Sequence, residues 1–245
     1  MEPPRRIGPH NEAGGGMSVV YCEGKTLREI NQAIRKQLGD GAREIRLTSP
    51  SARHNIAVGL ITPAHLIIEG SVGYYCAGMM DGLTVSIMGS AGWGLGEGMM
   101  NGTIVVEGNA GNGAAASIRG GTVVVKGNAA ARTAIALKGG TVIVGGDVGY
   151  MSGFMMQKGV LIVCGNAGAG LGDSMYEGTI FVGGQVTELG HDAVIEEPTP
   201  EDLAMIASHL DRYRLPSPGA FKKVVSGRRL WNFDKREWSI WKNAL

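Results

Sequence analysis

Apolar and polar positions along this chain recur every 19 residues between His65 and Gly190. Each period carries a three-residue apolar phrase ahead of a glycine: Leu66-Ile67-Ile68 before Gly70, Val85-Ser86-Ile87 before Gly89, Ile104-Val105-Val106 before Gly108, and so on through Gly127, Gly146, Gly165 and Gly184. A second glycine series keeps the same spacing at Gly102, Gly121, Gly140, Gly159 and Gly178. The phrases are rich in β-branched residues and too short for a helix, so they predict strands. A fixed period of this length is the mark of a solenoid. Nineteen residues are too few for a helical crossover. The expected fold is an all-β solenoid: a right-handed parallel β-helix of about seven 19-residue coils, stacked about 4.8 Å apart.

Reading the coils by column refines this picture. The position after each first-series glycine holds Ser71, Ser90, Asn109, Asn128, Asp147, Asn166 and Gln185. These short polar residues tolerate left-handed turns and can bond neighbouring backbone, which predicts a turn ladder. Another column reads Met80, Met99, Ile118, Leu137, Met156 and Met175, a stripe of core that accounts for most of the methionine excess. The middle residue of each phrase points away from its two neighbours. That column, from Ile67 through Val105, Val124, Ile143 and Ile162 to Phe181, is also apolar apart from Ser86. Strands apolar on both faces are buried on both, so the outer face needs a cover, either the chain's own termini or another protein.

The flanks follow other rules. Residues 1–16 lack a period and read as a disordered arm; residues 17–64 read as a small α/β entry module and connecting loop. Within that module Val20-Tyr21-Cys22 suggests a short strand, and Thr26 with Glu29 forms a capping box. Leu27, Ile30, Ile34 and Leu38 recur at helical spacing up to Gly39, giving an N-terminal cap for the solenoid. Glu44 to Thr48 reads as a strand, and Pro50 to Pro63 as a connecting loop or irregular coil. The GXGXG-type repeats occupy 65–190. Beyond them, residues 191–245 predict a helix capped by Thr199 and Pro200 and a docking tail. The tail interleaves Phe221, Trp231, Phe233, Trp238 and Trp241 with Lys222, Lys223, Arg228, Arg229, Lys235 and Arg236. Tryptophan with arginine is the makeup of protein-interface anchors.

Composition narrows the function classes. The 41 glycines, more than twice the usual share of about 7%, are accounted for by the repeats. A net charge of +1 gives no electrostatic case for nucleic acid or an anionic membrane surface. The sequence has no apolar run of membrane-spanning length and no signal-like apolar segment near Met1, so a cytoplasmic protein is expected. Cys22, Cys76 and Cys164 are scattered and form no CxxC, which argues against disulfides and cysteine-rich metal sites.

Catalytic patterns are missing where they would be sought. Gly92-Trp93-Gly94-Leu95-Gly96 and Gly168-Ala169-Gly170-Leu171-Gly172 have no helix after them, so they read as turns between coils rather than phosphate loops. The histidines His10, His54, His65, His191 and His209 show no metal-ligand spacing. Among the repeat carboxylates Glu69 and Glu107 share a column, two periods apart, while glycoside hydrolysis needs a pair about 5–10 Å apart. No catalytic, cofactor-binding or metal-ligating residue is therefore assigned to this chain.

The runs Gly89-Ser-Ala-Gly-Trp-Gly-Leu-Gly-Glu-Gly, Gly102-Thr-Ile-Val-Val-Glu-Gly-Asn-Ala-Gly and Ile118-Arg-Gly-Gly-Thr-Val-Val-Val resemble the C-terminal GXGXG β-helix domain of the glutamate synthase large subunit. Gly70-Ser-Val-Gly-Tyr-Tyr-Cys-Ala-Gly-Met, Gly149-Tyr-Met-Ser-Gly-Phe-Met, Gly172-Asp-Ser-Met-Tyr-Glu and Arg228-Arg-Leu-Trp-Asn-Phe are more similar to its free-standing version in N-methylglutamate synthase. Ala130 and Thr187 depart from the pattern, replacing glycine in the column of Gly92, Gly111, Gly149 and Gly168.

The resemblance implies a non-catalytic structural subunit of a hetero-oligomer. Its expected partners are a glutaminase-type glutamine amidotransferase subunit and an FMN-binding glutamate synthase-like subunit, the latter carrying FMN and an iron-sulfur cluster. It implies no cofactor on this chain, and a complex that converts glutamate and methylamine to N-methylglutamate and ammonia. The β-helical subunit of formylmethanofuran dehydrogenase, and that of the related formyltransferase/hydrolase complex, share the GXGXG repeat and supply an alternative. An autonomous carbohydrate-acting β-helix is a third reading.

Overall fold

The computed structural model describes residues 18–229. The arm expected over 1–16 lies outside them, as do Trp231, Phe233, Trp238, Trp241, Lys235 and Arg236 of the tail. Nine strands pair in parallel, in chain order: β1 (Ser18–Tyr21), β2 (Glu44–Thr48), β3 (His65–Glu69), β4 (Leu83–Ile87), β5 (Gly102–Val106), β6 (Thr122–Val125), β7 (Thr141–Val144), β8 (Val160–Val163) and β9 (Thr179–Val182). From β3 to β9 every pairing keeps the 19-residue register, as in His65↔Thr84 and Val160↔Thr179. The sheet is the stacked wall of a β-solenoid, and about 4.8 Å per coil makes it roughly 40 Å long.

The inward columns build the core. Leu66, Val85, Ile104, Val123, Val142, Leu161 and Ile180 are buried, and so is the methionine column from Met80 to Met175. Opposite the sheet each coil closes through an arc in which three alternate residues are left-handed. In one coil these are Gly94, Gly96 and Gly98; in the next, Gly113, Ala115 and Ser117; in another, Arg132, Ala134 and Ala136. The middle member of each arc turns into the core, and it is always Ala or Gly: Ala77, Gly96, Ala115, Ala134, Gly153 and Gly172. Arc N–H groups bond carbonyls of both neighbouring coils, as in Gly94 N–H to Asn112 O, Gly96 N–H to Cys76 O and Gly98 N–H to Ala116 O. The glycine-rich runs are these arcs, not phosphate loops.

The polar ladder forms, in a different backbone conformation from the one expected. Ser71 Oγ accepts from Ser90 N–H at 3.0 Å, Asn109 Oδ1 from Asn128 N–H at 2.8 Å and Asp147 Oδ1 from Asn166 N–H at 2.6 Å, each one coil away. The ladder residues are not themselves left-handed; positive φ falls in the arcs and at the second glycine series, as at Gly121 (φ 77°). The first glycine series serves close approach instead, since a Cβ on Gly127 would collide with Asn109 Oδ1.

Of the two readings of 50–63, the structure has the coil. β2 pairs with β3 in register, and Asn55, Ala57 and Gly59 form a left-handed arc bonded to the next one. Helix α1 (Leu27–Gly39) starts at the expected Thr26–Glu29 capping box. It ends at Gly39 as expected, with Asp40 as C-cap and Gly41 left-handed. It closes the N-terminal end of the stack: Asn31 bonds both Asn55 O and Ala57 N–H, and Arg35 bonds Val58 O. Those backbone groups would otherwise look out of an unpaired coil.

At the other end α2 (Pro200–Tyr213), capped by Thr199 as expected, is flanked by two strands absent from the sequence reading. β10 (Ala193–Glu196) and β11 (Lys222–Ser226) form an antiparallel pair, and β11 pairs with β9. The segment from Phe221 therefore begins as sheet rather than tail. Lys222 donates to Gly184 O and Lys223 to Asp202, so those two bases serve the fold.

Candidate interaction surface

Helix α2 decides how much of the outer sheet face is available. Ile206 and Leu210, with Leu215 beyond the helix, pack on Val124, Ile143, Ile162 and Phe181 in a second core. The chain itself thus covers the C-terminal half of the outer stripe, which removes that half as a docking surface. Ile67, Ser86 and Val105 remain half-buried beyond the helix. Burial alone would raise the Asp202 carboxyl at the start of α2, but hydrogen bonds from Lys223 and Thr199 outweigh it and hold the carboxyl below the usual range.

Several side chains singled out for possible chemistry serve the fold, and His10 lies outside the described residues. Glu69 pairs with Arg46 and Glu107 with Lys126, so these two carboxylates of one column are separately neutralised. Asp147 is a rung of the ladder, and Asp173 accepts from Ser174 Oγ and His191 N–H. His65 bonds Ser86 Oγ at 2.8 Å, while burial lowers the basicity of His209 and nearby Arg212 adds to the effect. All three cysteines are free and buried; burial pushes Cys76 up to about 12 and Cys164 up to about 11. Thr133 and Ser152, the fully buried polar residues, each bond a carbonyl three residues back. Among the described residues no group of three or more His, Cys, Asp or Glu could hold a metal.

Exposed large apolar side chains are scattered over the surface, and among the aromatic ones Tyr74, Tyr75, Trp93 and Tyr150 lie along the arcs. His54, Tyr74 and Trp93 stack along the solenoid axis with centroids 4.4 and 5.3 Å apart. Each ring lies over the glycine of the following coil. A Cβ would stand 2.7 Å from Tyr74 Cδ1 at Gly92 and 2.6 Å from Trp93 Cδ1 at Gly111, and would strike His54 at Gly73. Ala130 and Thr187 lie beside Asn112 and Ala169 rather than a ring, but Gly149 lies beside Ala131 and a Cβ there would meet backbone, so nothing in the structure explains the two departures. Tyr75 and Met79 extend the exposed patch, and Tyr150 and Met155 form a second one further along the arcs.

The sequence reading did not single out these residues as a surface, although their spacing carried the signal. Trp93 follows Tyr74 by one period and Tyr150 follows Trp93 by three. Tyr74, Tyr75, Tyr150 and Met155 also belong to the phrases that set this chain apart within the GXGXG resemblance.

Fold and surface together define a capped β-solenoid with an aromatic arc face and, among the described residues, no metal-binding cluster. No family profile matches the chain. Over 72 residues it is 44% identical to Protein GlxC of Rhizobium meliloti (strain 1021), a stretch that makes up 29% of this chain and 32% of that protein. The matched segment therefore spans about a third of the curated relative's length. No helix of the described residues is long and apolar enough to cross a membrane.

Proposed function

We propose that this chain is the non-catalytic structural subunit of a glutamate synthase-like complex, of the N-methylglutamate synthase type. It braces a glutaminase-type amidotransferase subunit against an FMN-containing synthase subunit. In such a complex glutamate and methylamine become N-methylglutamate and ammonia, and the flavin and iron-sulfur cluster belong to the synthase subunit.

The observation that carries this reading is the division of labour among the polar side chains. Ladder amides and hydroxyls bond backbone one coil away, and Glu69 and Glu107 pair with Arg46 and Lys126, while aromatic residues of the kind that anchor partners stand exposed. A rigid stack with both ends covered suits a strut between larger subunits. The GXGXG resemblance supports the same class.

Purification of the tagged chain at native expression, with mass spectrometry of its companions and a visible spectrum, tests the proposal. An amidotransferase and a yellow flavoprotein in stoichiometric amounts are expected, with methylamine-dependent turnover exceeding ammonia-dependent turnover. Formyltransferase and amidohydrolase-like companions, or turnover of a polysaccharide by the chain alone, would replace this reading.

A further inference from the structure

The middle coils carry a charge imbalance that nothing in the described fold resolves. Between Glu107 and Asp147 the sequence has four bases, Arg119, Lys126, Arg132 and Lys138, and no acid. Lys126 is on the sheet side and pairs with Glu107. The other three lie on the arc side: Arg132 opens the arc of one coil, Lys138 follows its close, and Arg119 occupies the column of Lys138 one coil earlier. All three are exposed, and none forms an ion pair among the described residues. Like charges about 4.8 Å apart in one column repel each other and weaken the stack they stand on. An opposing charge supplied from outside would remove that penalty.

This belt sits between the two exposed patches. Tyr74, Tyr75 and Trp93 lie on one side, and Tyr150 with Met155 on the other, Trp93 and Tyr150 being three coils or about 14 Å apart. We propose that the belt and its flanking rings are the docking site for an acidic protein surface presented by a partner subunit. The proposal rests on the scaffold reading above and locates its contact. Tyr, Trp, Met and Arg are the side chains enriched at interface cores, and complementary charge steers and orients a partner. Single-stranded nucleic acid fits less well, because it needs open ring faces for its bases. Here Tyr74 is stacked on both sides, and His54 and Trp93 each give one face to it.

The test is a combined Arg119→Glu, Arg132→Glu and Lys138→Glu reversal in the full-length tagged chain expressed from its own locus. A double reversal of Arg28 and Arg43, exposed at the N-terminal end and without an ion pair among the described residues, serves as control. With the circular dichroism unchanged, the arc variant is expected to recover roughly ten-fold less of one partner subunit, and the control is expected to recover it in full. A photo-crosslinking residue at exposed Met100 is expected to label an Asp/Glu-rich peptide of that same subunit.

If the amidotransferase and flavoprotein follow the arc variant as well as the native chain, the scaffold reading stands and this site falls. If the native chain instead brings an acidic partner of another class and loses it on reversal, the site stands and the glutamate synthase-like reading falls. Crosslinks only to a second copy of this chain, nuclease-sensitive retention of nucleic acid, or no partner at all would each overturn the site.

Discussion

A single oxygen governs much of the tolerance of this chain to substitution. Asn109 Oδ1 holds the Asn128 N–H at 2.8 Å and leaves no room for a Cβ on Gly127. Gly127→Ala is therefore expected to destabilise by about 2–4 kcal/mol, and Asn109→Ala by about 1 kcal/mol, both read from urea unfolding. The thiols give a pH signature. Cys76, raised from 9.0 to about 12, and Cys164, raised to about 11, hold protons in the folded state that the unfolded state releases. Their contribution is fully present below pH 9 and is lost as pH climbs toward those values, with a limiting slope of about 1.4 kcal/mol per pH unit for each thiol. Cys76→Ala should flatten the alkaline fall in stability, and native Cys76 should resist iodoacetamide at pH 8. The ladder was legible from its column of short polar residues. The left-handed arcs were not, because positions such as Tyr75, Arg132 and Met151 hold side chains that rarely adopt that conformation and carry no glycine signal.

Elements without a repeat were the harder ones to foresee. The two helices announced themselves through Thr26 with Glu29 and Thr199 with Pro200, whose capping chemistry is local. β10 and β11 are short, unrepeated and paired antiparallel, so no period exposes them. The need for a cover over the outer stripe could be read from two-faced apolar strands, but the identity of that cover depends on where α2 folds back. Its role is measurable. Leu210→Ala should cost about 2–4 kcal/mol and increase binding of a hydrophobic dye, while the far-ultraviolet strand signal persists. At the opposite end, Asn31→Ala leaves Ala57 N–H and Asn55 O without their helix partner. A loss of about 1–3 kcal/mol is expected, together with faster amide exchange confined to the first coil.

At the scale of the molecule, each coil bonds to its two neighbours, so stability accumulates along one axis. Removing residues 109–127 deletes one full period and brings Asn128 onto the Ser90 rung. The shortened chain should remain monodisperse and strand-rich by size exclusion and circular dichroism. Removing 109–122 breaks the register and is expected to give aggregates. The shortened solenoid should also recover less of any partner that spans Trp93 and Tyr150, because it brings those residues one coil closer.

The ladder also bears on how such a chain acquires its length. A tandem duplication of one coil's coding sequence delivers a unit whose donors meet acceptors already in place below it and whose acceptors meet donors above. Such an event needs no compensating mutation to fold. Lineages can therefore lengthen or shorten the solenoid in inherited steps of about 4.8 Å.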